Sequence, residues 1–203
     1  MKRLWSRMDF PWTLGLSVAA VALTAAALTG GRLEAAVAWL VATTEGMERA
    51  EIWRLWTGHL VHFTSGHFLL DVGAGAILLL FMRSRGAALI LPPIVGLGVL
   101  ALRPDITSYA GLSGVLHGLT VLAAVDLART THGLERWAAA GLLTGVIAKS
   151  LFEGLTNASV FTSTVAMGGE TVYVAHLVGV LSGLVLAAIG GLAKVQAPQP
   201  AIR

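Results

Sequence analysis

The sequence predicts an all-α, polytopic membrane bundle of six transmembrane helices, and three observations lead there. Of 203 residues, 56% are hydrophobic and 12% charged, where a soluble domain carries about 25% charged residues. The mean hydropathy is +0.77. The apolar residues gather into six runs long enough, or nearly so, to cross a hydrocarbon core of about 30 Å at about 1.5 Å per helical residue. This composition excludes an ordinary cytosolic enzyme and a disordered region, and the absence of cysteine excludes a disulfide-stapled secreted domain. The formal charge of +3 does not point to nucleic acid, because the basic residues flank the apolar runs and do not form one face of a domain.

The runs extend approximately over Pro11–Leu28, Gly66–Met82, Gly86–Leu102, Leu112–Ala128, Leu134–Phe152 and Thr171–Ala193. The first reads as an uncleaved helix rather than a secretory signal, since five more runs follow it. The third contains Pro92 and Pro93, tolerable in a bilayer if neighbours satisfy the freed carbonyls. With the N-terminus cytoplasmic, that side collects nine Lys and Arg (Lys2, Arg3, Arg7, Arg83, Arg85, Arg129, Arg136, Lys194 and Arg203) against five opposite. Both termini are therefore expected inside. The chain reads as one transmembrane domain over residues 1–203, with a Trp-bearing interfacial outer segment over 29–65 and a short flexible tail over 194–203. In the outer segment His59 reads as interfacial and His62 as a structural group.

Ionisable groups inside spans are costly and mark function. His67 and Asp71 share a face at the outer end of the second run; Ser113 and His117 lie one turn apart in the fourth; His176 opens the sixth. The topology puts His67, Ser113 and His176 at similar shallow depth on the outer side. Taken singly, a membrane serine usually bonds a backbone carbonyl and a lone histidine an adjacent helix; their convergence favours chemistry. Gly114 and Gly118 form a G-x-x-x-G ridge beside the Ser113/His117 stripe, and Gly179 and Gly183 follow His176 on one face, small residues that let two helices approach closely. A serine hydroxyl needs a base, which His176 supplies. Backbone N–H groups around Ser113, that of Leu112 among them, and the imidazole of His67 are candidate oxyanion donors. No third carboxylate is needed in this dyad, and Asp126 lies too far along its helix to orient His176.

The motif Gly111-Leu112-Ser113-Gly114 resembles the G-x-S-G of rhomboid intramembrane serine proteases, and Ala175-His176-Leu177-Val178-Gly179 with Gly183 resembles their A-H-x-x-G-x-x-x-G. Trp53-Arg54 followed by His62, His67 and Asp71 is similar to their W-R element and H-x-x-x-x-H-x-x-x-N pattern. The run from Gly111 to Gly118 and the compact size look most like the rhombosortase branch. The resemblance implies a six-helix bundle in the bacterial cytoplasmic membrane, a Ser113–His176 dyad in a cavity open to the outer face, and no cofactor or metal. The implied partners are lipid and transmembrane protein substrates, exported proteins whose C-terminal Gly-Gly sorting tails would be cut near the outer face. Two positions depart from the pattern. Asp71 replaces an asparagine, and an ionised carboxylate cannot donate to an oxyanion; it either is protonated or orients His67. His117 stands where a tyrosine is common, placed to pack on His176 or to donate to water. Two other readings remain: a histidine-ligated metal or haem membrane protein, for which no H-E-x-x-H or paired Cys/His signature exists, and a non-catalytic helix-binding chaperone of rhomboid-like build.

Overall fold

The computed structural model describes residues 33–82, 86–161 and 171–196. The expected first span, Pro11–Leu28, and residues 197–203 of the expected tail lie outside them. Among the described residues the chain is mostly helical, with eight α-helices. A short outer unit comes first: α1 (Leu33–Leu40), β1 (Ala42–Thr43), α2 (Thr44–Glu48), α3 (Arg54–Thr57) and a 3₁₀ turn (Gly58–Leu60). Five long helices follow: α4 (Ser65–Phe81), α5 (Ala87–Leu102), α6 (Ser113–Thr130), α7 (Gly133–Thr156) and α8 (Val174–Gln196), with β2 (Ser108–Tyr109) between α5 and α6. They occupy five of the six apolar runs. α8 continues to Gln196 through Lys194, so the helix takes up three residues expected in the tail.

By length and composition one of these helices, α7, with 24 residues, suffices to cross a membrane. The apolar stretches Gly66–Leu78, Ala87–Leu102 and Val174–Gly190 are shorter. Large apolar side chains nevertheless face outward along all of them, including Leu69, Leu89, Trp137, Leu155 and Leu181.

α8 makes its most extensive contact with α6, and α5 and α7 pack on this pair. Leu91, Val95 and Val99 of α5 are fully buried against it. Glycines determine how near α6 and α8 come. A Cβ on Gly118 would lie 2.8 Å from the carbonyl oxygen of Gly179, and one on Gly183 would lie 2.6 Å from that of Gly118. A Cβ on Gly179 would overlap the carbonyl oxygen of Gly114 outright. The two backbones thus touch where only hydrogen side chains fit.

α5 runs on through Pro92 and Pro93, and one of the carbonyls they free has a replacement donor. Pro93 lacks the N–H that would bond the carbonyl of Leu89. The indole Nε1–H of Trp56 donates to that carbonyl instead, at 2.9 Å. Trp56→Phe leaves the oxygen without this donor, and a loss of about 1 kcal/mol of stability is expected; thermal unfolding of the purified variant measures it.

The outer unit is clamped to the bundle. Strands β1 and β2 pair antiparallel, Ala42 opposite Tyr109 and Thr43 opposite Ser108. Arg54, 6% exposed, donates from Nη1 to the carbonyls of Ala38 and Val41 at 2.5 and 2.8 Å and from Nε to Glu51 at 2.5 Å. Buried guanidinium donors satisfying backbone oxygens hold a segment that has little regular structure of its own. His59, expected at the interface, is instead only 2% exposed. Its ring lies between the carbonyls of Gly111, 2.9 Å from Nδ1, and Pro92, 2.8 Å from Nε2. Burial pushes its titration below the ordinary histidine range, against the pull of the two carbonyls. An aromatic segment with scattered charges reads as interfacial from composition; the internal acceptors that draw His59 inward come from α5 and the loop before α6.

Candidate active site

The loop into α6 places the serine. Gly111 has φ +110°, a conformation that glycine adopts without strain, and its N–H donates to the carbonyl of Gly58 at 3.1 Å. Helix α6 then starts at Ser113 with no side-chain cap. The opening N–H groups of a helix have no intrahelical acceptor, and the dipole makes that end positive. α8 brings His176 across: its Nε2 is 3.1 Å from Ser113 Oγ, although the residues are 63 apart in sequence.

The other ring nitrogen of His176 reveals a residue absent from the sequence-based site. Nδ1 lies 2.7 Å from Oε2 of Glu153, near the end of α7. Glu153 is 1% exposed, and its charge has two further donors: Lys149 Nζ on Oε2 at 2.7 Å and the N–H of Val160 on Oε1 at 3.2 Å. A buried carboxylate needs such compensation to remain ionised. With Glu153 ionised, Nδ1 of His176 carries the proton donated to it, and the Nε2 lone pair faces Ser113 Oγ. The sequence reading needed no third carboxylate; the structure sets one against His176, with Ser113, His176 and Glu153 in line. The signal available in the sequence was the pair Lys149 and Glu153, one turn apart at the end of an apolar run.

His117 stacks on His176, ring centroids 4.0 Å apart and planes at 12°. Its Nδ1–H donates to the carbonyl of Ser113 at 2.7 Å, which leaves Nε2 to accept from Lys149 Nζ at 3.1 Å. A closed circuit of hydrogen bonds therefore surrounds His176 and holds its ring plane.

Asp71 acts as an acceptor. Its Oδ2 takes the N–H of Leu112 at 3.0 Å and lies 3.2 Å from Nε2 of His67 and 3.3 Å from Nε2 of His62. Leu112 is for this reason corrected as an oxyanion donor, because its N–H is turned to the carboxylate. His67 likewise directs Nε2 at Asp71, while its buried Nδ1 has no partner. Thr64 caps α4, its Oγ1 accepting from the N–H of His67 at 3.1 Å, and so fixes where that histidine enters the site. Of the predicted glycines, Gly114, Gly118, Gly179 and Gly183 lie in the α6–α8 contact, and Gly111 lies under the ring of His67, where a Cβ would be 3.2 Å from Cε1.

These side chains open on a cavity of about 660 Å³, into which His67, Asp71, Ser113, His117, Lys149 and His176 project. Its remaining walls are mainly apolar. An apolar groove along α7 adjoins it through Thr120, Val146, Lys149 and Phe161.

His117, Glu153 and His176 bring potential metal-binding atoms close together, but the ammonium of Lys149 sits among them, bonded to His117 and Glu153. A divalent cation there would have to displace a resident positive charge. The 4.0 Å stacking of His117 and His176 also leaves no space for a porphyrin between them. Comparison with protein-family models and with curated proteins gave no match.

Proposed function

We propose that the chain is an intramembrane serine endopeptidase of the rhomboid type, of the rhombosortase branch, acting on membrane-anchored exported proteins near the outer membrane face. The observation that carries this reading is the pair of hydrogen bonds on His176, to Ser113 Oγ at 3.1 Å and to Glu153 at 2.7 Å. Ser113 Oγ attacks the peptide carbonyl as Nε2 of His176 takes its proton; Glu153 stabilises the imidazolium that forms. The proton then passes to the departing amine, and water, deprotonated by the same nitrogen, releases the acyl group from Ser113. The uncapped N–H groups at the start of α6 supply positive dipole where the oxyanion develops.

The membrane setting rests on the apolar faces that α4, α5, α7 and α8 turn outward and on the charge asymmetry of the flanks. The proposal includes six spans, both termini cytoplasmic, and the bacterial inner membrane as location. The apolar groove along α7 would receive an extended apolar stretch of substrate, such as the tail beyond a Gly-Gly motif. No cofactor takes part in these steps.

Labelling of the purified, detergent-solubilised chain with a serine-reactive phosphonate tests the reading. A covalent adduct on the peptide containing Ser113 is expected, absent from Ser113→Ala. Processing of a tail-bearing substrate should fall by about 10³-fold or more in that variant. A folded wild-type protein that is not labelled, together with processing that survives Ser113→Ala, overturns it.

A further inference from the structure

Beside the serine, the structure assigns a second site: His62, His67 and Asp71 form a three-ligand site for a divalent cation of the zinc class. His62 Nδ1 is 3.0 Å from the carbonyl of Leu60, and only a protonated nitrogen bonds a carbonyl. In the neutral ring Nε2 is then a lone pair. This nitrogen belongs to a side chain that is 1% exposed, has no hydrogen-bond partner, and faces Asp71 Oδ2 at 3.3 Å. A lone pair buried opposite a carboxylate oxygen is repelled unless positive charge lies between them. His67 completes the set, with Nε2 3.2 Å from the same oxygen.

The spacing suits a cation. Ligand atoms around one tetrahedral zinc, each about 2.0–2.1 Å from the metal, stand about 3.3 Å from one another. Two of the three ligands carry the bonds that orient metal ligands, a backbone carbonyl behind His62 Nδ1 and the N–H of Leu112 on the second lone pair of Asp71 Oδ2, while Nδ1 of His67 has no such partner. His67 and Asp71 line the cavity, so the fourth position opens toward water. A bound ion ties the outer unit, α4 and the residue preceding Ser113 into one cluster. This assignment goes beyond the expectation of a metal-free protein, and it does not depend on the protease reading.

The test is zinc titration of the tag-free full chain, stripped with chelator and carrying Ser113→Ala, against a chromophoric zinc indicator. One zinc per chain is expected, with affinity falling at least about 100-fold in His62→Ala and in Asp71→Asn and unchanged in His117→Gln. Cobalt substituted into the same chain should give the intense visible bands of tetrahedral coordination, a readout that needs no ligand variant to fold. A chain that holds no zinc, zinc retained at full affinity by folded His62→Ala, or loss on His117→Gln instead each overturns the site. Because Ser113 is absent from the titrated protein, failure here and failure of the peptidase proposal are separate results.

Discussion

Glu153→Gln is expected to lower the rate of substrate processing by about 10²- to 10⁴-fold while leaving the chain folded. The amide is nearly the shape of the carboxylate, so packing around α7 is kept; what disappears is the anion. Two consequences follow at His176. An amide turned to offer its NH₂ favours the opposite imidazole tautomer, with the proton on Nε2, where it cannot accept from Ser113 Oγ. The imidazolium formed during proton transfer also loses its counter-charge. The measurement is single-turnover processing together with the rate of phosphonate labelling, both of which should fall in parallel. A Ser–His dyad working alone predicts little change in either, so unaltered rates in folded Glu153→Gln would return the mechanism to two residues.

Gly179→Ala is expected to cost about 3 kcal/mol or more of stability, at the upper end of what overpacking exacts. The added methyl meets a backbone carbonyl on α6, and backbone cannot move aside by changing rotamer. Any population that does fold must separate α6 from α8, and these two helices carry the nucleophile and its base. A displacement of about 1 Å there is enough to lower turnover by about 10²-fold. Thermal unfolding and phosphonate labelling of the surviving folded fraction measure the two effects separately. Gly141→Ala is the matched control, because a Cβ at that position on α7 meets nothing within 4 Å.

Much of the helical layout was legible because an apolar run leaves few alternatives: five runs and five long helices agree to within a few residues at most ends. Ser113 and His176 were legible for a similar reason, as polar groups at comparable depth with glycines beside them. Glu153 was not. It follows Phe152 at the boundary of a run, where an acid reads as the beginning of a solvated loop, and helix α7 continues past it to Thr156. What draws it inward is tertiary: His176 on α8, and the N–H of Val160 after the left-handed turn at Asn157. His59 escaped for the converse reason. Its neighbours are two carbonyls, of Pro92 and Gly111, one of which takes the single N–H of the neutral ring, and backbone oxygens carry no mark in a sequence. The role of Asp71 also depended on a backbone group, the N–H of Leu112, which only the folded loop brings within reach.

The order of the three residues along the chain has a consequence for biosynthesis. Ser113 emerges first, Glu153 next and His176 last, 63 residues after the serine. On the proposed chemistry and topology, a growing polypeptide that has delivered α6 and α7 to the membrane possesses the hydroxyl and the carboxylate but not yet His176, the base that stands between them. Ser113 is then no more reactive than any alcohol, and it remains so until α8 slides its glycines against α6. On the proposed chemistry, a partly made chain is harmless to its neighbours in the translocation machinery, and the insertion of a single helix arms it.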